Sequence, residues 1–161
     1  MDVKALYDED FLLWTAHQAT ALHRLAAART NLGADLDLDH LAEEIEDLGN
    51  RHKNAAESAL ARIFEHLVKL QHSPSPYPRR LWRQSVARQR DRIARLLKDS
   101  PSLKPYLPTV VQDAYDQARR YVTLGESGRE GWTGSLPPEP PYTLDQLLDH
   151  AWWPTSRHGL D

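Results

Sequence analysis

From Leu41 to Leu70 apolar residues recur every three or four positions, and the run ends at Ser73-Pro74-Ser75-Pro76-Tyr77-Pro78. That spacing lines one face of an α-helix. The prolines forbid its continuation, because each one disfavours α conformation in the residue before it. A helix opened by Asp37 or Asp39 and running to about Leu70 is therefore the frame on which the rest of the chain must pack. Its stripe reads Leu41, Ile45, Leu48, His52, Ala55, Ala59, Ile63, His66 or Leu67, and Leu70. Gly49 sits inside the pattern at a cost of ~1 kcal/mol relative to alanine, so the pattern allows a break or bend there.

The same spacing predicts four further helices. One covers 8–28, capped by Asp8, with Phe11, Trp14, Gln18, Ala21, Leu22 and Leu25 on its inner face. Another covers 79–98, with Trp82, Val86, Gln89, Ile93 and Leu96 or Leu97 inward. Ser100-Pro101 reads as a cap with proline at the first helical position, giving a short turn over 101–107. Pro108 opens a helix facing inward through Val110 or Val111, Ala114, Ala118 and Tyr121 or Val122, and Thr143 caps a short one to about His150. The expected fold is thus an all-α bundle of about five helices, two of them long. A Gly/Pro-rich loop over 125–142 precedes the last helix.

At 161 residues this is one domain, 1–161, with an ordered core over 5–154 and a frayed tail over 155–161. Trp152 and Trp153 should pin the end of the chain to the bundle. There is no cysteine, which removes disulfides, zinc ribbons and thiol nucleophiles. The start of the chain has no signal-peptide pattern, and no apolar run approaches a membrane span. A soluble, cytoplasmic domain with no cofactor, no metal and no membrane partner is expected.

The formal net charge is −3, which is not the overall footprint of a nucleic-acid binder. The charge is unevenly placed, however. Residues 35–47 carry Asp35, Asp37, Asp39, Glu43, Glu44, Glu46 and Asp47 with no Lys or Arg. Residues 79–98 carry seven Arg and Lys98 against Asp91 alone. Two solvated faces attracting each other within one molecule explain this before a partner is needed.

The informative anomaly is polar. Gln18, His52, His66 and Gln89 fall inside apolar stripes, with Arg83 and Arg90 on the shoulder of the 79–98 stripe beside Trp82. Unpaired, such groups cost roughly 1–3 kcal/mol each to bury. The first reading is that they pair with each other or with backbone and fix helix register. The second is a polar interhelical cleft, with a histidine titrating near neutrality and an arginine ready for an anion.

Known chemistries find little support. There is no Glu-x-x-His for a di-iron bundle, and His40-x-x-Glu43 runs in reverse. His66 lies ~33 Å from Glu44 on a straight helix. No P-loop, dinucleotide fingerprint or Gly-x-Ser-x-Gly occurs. Arg80, Arg88, Arg92 and Arg95 face outward and could contact phosphates, but no reader motif accompanies them.

Several blocks are specific in their order. They are Tyr7-Asp8-Glu9-Asp10-Phe11 with Trp14, Leu41-Ala42-Glu43-Glu44-Ile45-Glu46-Asp47-Leu48-Gly49, His66-Leu67-Val68-Lys69-Leu70, and Trp82 with Gln89-Arg90. Ser100-Pro101-Ser102-Leu103-Lys104-Pro105-Tyr106-Leu107 and Pro141-Tyr142-Thr143-Leu144-Asp145-Gln146-Leu147-Leu148-Asp149 complete the set. Together, over about 5–154, they resemble the bacterial "domain of unknown function" family numbered twenty-nine. Leu70 stands where that family often has an aromatic residue. The resemblance implies an all-α fold and no activity. The leading reading is a small intracellular binding or assembly module with a protein partner, self or other. A nucleic-acid-associated or toxin–antitoxin-like accessory protein using 79–98 comes second, and an enzyme built on His66, Arg90 and Glu44 or Gln89 comes last.

Overall fold

The computed structural model describes residues 2–28, 35–126 and 136–161. Gly33 and most of the Gly/Pro-rich loop, with Gly128, Gly131 and Gly134, lie outside the described residues. Among the described residues the fold is all-α, as expected. It holds α1 (Val3–Glu9), α2 (Phe11–Ala27), α3 (Leu38–His72), α4 (Arg79–Asp99), α5 (Val111–Glu126) and α6 (Leu144–Leu148). Two 3-10 turns, Pro101–Leu103 and Leu107–Val110, lead from α4 to α5. Six helices replace about five because the first splits at Asp10, whose backbone leaves the helical region at φ −155°. The cap of α2 is therefore Asp10 and not Asp8. At Gly49 there is no break.

The contacts divide the chain into two compact units, one of 1–55 with 95–105 and the other of 56–94 with 106–161. In the first unit, α2 meets α3 through small side chains. Thr15, Ala19, Ala42 and Gly49 are buried. A methyl group on Gly49 would collide with Thr15 Oγ1 and lie 3.1 Å from Leu12 Cδ1, and Thr15 Oγ1 already donates to the Leu12 carbonyl at 2.8 Å. This close approach corrects the expected faces. The buried residues of this unit are Leu12, Thr15 and Ala19 on α2, and Ala42 and Gly49 on α3. Leu25, Leu41 and Leu48 are exposed instead, while Phe11, Trp14, Gln18 and Ile45 are half-buried.

Asp10 and Ser100 hold the start of α2. Asp10 Oδ1 accepts from the Leu13 N–H at 3.0 Å, and Ser100 Oγ accepts from the Leu12 N–H at 3.2 Å. Two of the helix's unpaired first-turn donors are satisfied in this way. The same carboxylate accepts the Ser102 N–H at 2.7 Å and the Ser102 hydroxyl at 2.8 Å. The residues that follow α4 are thereby tied to the junction of α1 and α2.

In the second unit, Leu60, Ile63, Leu67 and Leu70 of α3 pack in a core with Val86 and Ile93 of α4 and with Ala114, Ala118 and Val122 of α5. The Phe64 ring lies 5.2 Å from Tyr115 and 6.2 Å from Tyr142. Their hydroxyls donate to the Pro137 carbonyl and to Gln71 Oε1, at 2.8 and 2.7 Å. Thr143 and Gln146 cap α6 reciprocally. The other end of α6 is held by Arg90, which is 1% exposed. Its Nε donates to the Leu147 carbonyl at 2.8 Å, and one terminal nitrogen donates to the Gln146 and Trp152 carbonyls at 3.1 Å each. A cation at the carbonyl end of a helix also complements its dipole. The final residues, expected to fray, are tied to the end of α3. The Arg157 N–H donates to the Gln71 carbonyl at 2.9 Å, and His158 Nε2 donates to the His72 carbonyl at 3.0 Å.

Two outcomes follow for stability. Asp10→Ala removes a cap and two charge-assisted bonds from a buried carboxylate, and urea denaturation should show a loss of about 3 kcal/mol. A loss under about 0.5 kcal/mol would mean that water replaces these bonds without cost. Arg90→Lys should also destabilise by about 3 kcal/mol, since an ammonium cannot span three carbonyls as a planar fork does. Full retention of stability in that variant would show that charge alone holds α6.

Candidate functional site

The polar residues singled out in the sequence divide between the two units. Gln18 and His52 fall in the first, and His66, Trp82, Arg83, Gln89 and Arg90 fall in the second. His52 is half-buried, with Nδ1 3.0 Å from Ser100 Oγ and its ring centroid 5.0 Å from that of Phe11. Gln18 lines a separate concavity with Val3, Leu13 and His17.

Around His52 the first unit builds an aromatic corner. The Tyr7 ring meets Phe11 edge-on at 5.7 Å and Trp14 edge-on at 4.9 Å, and Phe11 stacks with Trp14 at 5.8 Å. Phe11 and Trp14 are one turn apart on α2, and Tyr7 reaches them from α1 across the break at Asp10. Tyr7, Phe11 and His52 line a hollow of about 300 Å³ together with Asp8 and Asp99. Ring faces beside carboxylates favour an organic cation. Further along the helix, spacing puts Leu25 of α2 on the side that carries Phe11 and Trp14. It likewise puts Leu41 and Leu48 of α3 on the side that carries His52.

The acidic residues of 35–47 have histidine neighbours. Asp37 caps α3 and pairs with the His40 imidazole, which it raises above its ordinary pKa. His23 lies 3.5 Å from Glu46 and 3.9 Å from Asp39.

In the second unit, Arg83 and Arg90 converge on the ring of Trp153, each guanidinium carbon 4.9 Å from its centroid. Trp82 is buried with the Lys69 ammonium 5.9 Å from its ring centroid. Gln89 is half-buried. His66 is half-buried, its Nδ1 has no hydrogen-bond partner, and burial pushes its imidazole down to about 4. It is therefore neutral at pH 7 and a poor proton donor there. Of the residues named in the enzyme reading, His66, Gln89 and Arg90 fall in the second unit and Glu44 in the first, and the bonds made by Arg90 go to three backbone carbonyls. A hollow of about 430 Å³ lies between α3 and α5, but its charges answer one another. Glu65 accepts from Arg62 at 2.9 Å and from Lys69 at 3.0 Å. Among the described residues no group of three or more His, Asp or Glu is placed to hold a metal ion. No described helix is long and apolar enough to cross a membrane.

Arg80, Arg88, Arg92 and Arg95 are exposed, as their spacing on α4 requires. Sequence reasoning missed the clasp of Asp10, Ser100 and Ser102, since three acids in a row leave the cap ambiguous. It also missed Arg79, which is buried. The signal was present, because Arg79, Arg83 and Arg90 stand at i, i+4 and i+11, within ~40° of one another around an ideal helix.

A family model described as a domain of unknown function, DUF29, matches residues 6–153. The chain is also similar to a crystal structure of an alpha-helical protein of unknown function from Rhodospirillum rubrum. The two are 26% identical, with 91% of this chain and 90% of that chain covered and a TM-score of 0.70. Comparison with the curated proteins gives no match. With the family model spanning nearly the whole chain, and the clasp and the Arg90 bonds both lying within that span, the chain belongs to the DUF29 family, a domain of unknown function.

Proposed function

We propose that this protein is a binding module whose first unit receives a basic, amphipathic helix of a partner protein. The observation that carries the reading is where apolar surface is left over. Of the ten large apolar side chains that are exposed among the described residues, seven belong to the first unit, Leu25, Leu41 and Leu48 among them. Exposed apolar side chains that share one side of a helix mark interaction sites when they are contiguous. A helix laid on such a face would present residues at i, i+3 or i+4, and i+7 to it.

Charge selects the partner. Asp8 and Asp99 rim the aromatic hollow, and the acidic start of α3 flanks Leu41. A lysine or arginine would enter the hollow and stack on Tyr7 or Phe11. A second copy of this chain, paired through the same face, would bring two acidic segments together, which is unfavourable. The setting that fits this reading is the interior of a bacterial cell, supported by the absence of cysteine.

A labelled amphipathic peptide with Leu at i, i+4 and i+7 and flanking Lys tests the reading by fluorescence anisotropy. Binding is expected, weakened at least about tenfold when Leu41 and Leu48 are both changed to Asp. It should also weaken when Lys is replaced by Glu in the peptide. Equal binding of the Lys and Glu peptides, or indifference to the double substitution, would overturn the proposal. So would a monomer–dimer equilibrium abolished by the same substitution, which would assign the face to a second copy.

A further inference from the structure

We propose that the start of α4 and the carboxy-terminal turn form an anion site that takes the phosphate group of a small molecule at Arg79 and Arg83. This site belongs to the second unit and is independent of the reading given for the first.

Arg79 is 7% exposed, and both terminal nitrogens of its guanidinium are buried without a hydrogen-bond partner. One terminal nitrogen of Arg90, on the same stripe of the helix, is in the same state. Buried polar groups are almost always paired, and a charged donor left unpaired is among the costliest exceptions. A buried lysine would shed its proton, but a guanidinium does not do so in proteins. The remaining remedy is an acceptor, and a planar fork of donors fits two oxygens of one oxyanion.

The local charges set the kind of anion. Arg83 follows Arg79 by one turn, and burial first, then the Arg83 charge, pushes the Arg79 pKa down. The carboxylate that acts in the other direction is Asp161. Both of its oxygens accept from the Ser156 N–H, at 2.9 and 3.2 Å, and neither bonds Arg79. Arg79 is also the first residue of a helix of 21 residues. The N–H groups of its first turn lack carbonyl partners within the helix, and the dipole adds about half a positive charge there. Two guanidiniums and a helix start therefore stand against one carboxylate. A phosphate monoester, at about −1.5 to −2 near pH 7, balances that excess better than a second carboxylate. A polymer backbone fits less well, because Arg79 is only 7% exposed.

Calorimetric titration with inorganic phosphate and with glycerol 3-phosphate, at fixed ionic strength, tests this on the intact chain. The unaltered protein should bind both, with Arg79→Gln weakening Kd at least about tenfold. Arg88→Gln, on the exposed side, should leave Kd unchanged. If Arg79→Gln fails to fold by circular dichroism, Arg83→Gln carries the same expectation. Binding of inorganic phosphate alone would still support the site and assign it to the free ion. Absence of heat up to about 10 mM phosphate, or equal Kd in the protein, Arg79→Gln and Arg83→Gln, would overturn it.

Discussion

One buried carboxylate organises the first unit. Asp10 ends α1 by donating its N–H to the Leu6 carbonyl at 2.9 Å, caps α2, and accepts from Ser102 beyond α4. Ser100 completes the clasp by serving Leu12 and His52 together. The aromatic hollow is a consequence of this geometry. Asp8 and Phe11 flank the carboxylate in the chain, Asp99 flanks the hydroxyl, and His52 is held by it.

The second unit solves the same problem with the opposite charge. Three carbonyls around the end of α6 converge on Arg90, so a cation there does what an anion does at the start of α2. Burying a charge is costly unless its hydrogen bonds are made. Asp10 and Arg90 meet that condition for most of their atoms. Arg79 does not, and this contrast, within one helix, separates an arginine that serves the fold from one that awaits a ligand.

Much of the architecture was legible in the sequence, because helical spacing, proline breaks and caps are local signals. The bounds of α4, the Thr143 cap and the inner face of α5 all follow from them. The faces of α2 and α3 did not. Apolar spacing pointed to Phe11, Trp14, Leu25, Leu41 and Leu48, yet the helices meet through Thr15, Ala19, Ala42 and Gly49. Glycine in a helix reads as a weak point locally, and only the neighbouring helix shows that it is a place of close approach. The same displacement turned a predicted core stripe into exposed surface, and that surface now supports a binding role. His52 stands out in the sequence as a polar residue in an apolar stripe and is half-buried, and its partner Ser100, 48 positions away, could not be read from spacing. Arg83 and Arg90 stand out in the sequence on the shoulder of the apolar stripe, and Arg79, one turn before Arg83, shares their side of the helix but is masked by the basic run around it.

The central claim is that the first unit keeps apolar and aromatic surface open for a basic helix. Amide chemical shifts of the labelled protein, followed during titration with the lysine-flanked peptide, test it most directly. Shifts concentrated on residues 7–25 and 41–52 and at Asp99 are expected. Shifts centred on Arg80, Arg88 and Arg92, or spread evenly over the chain, would contradict it.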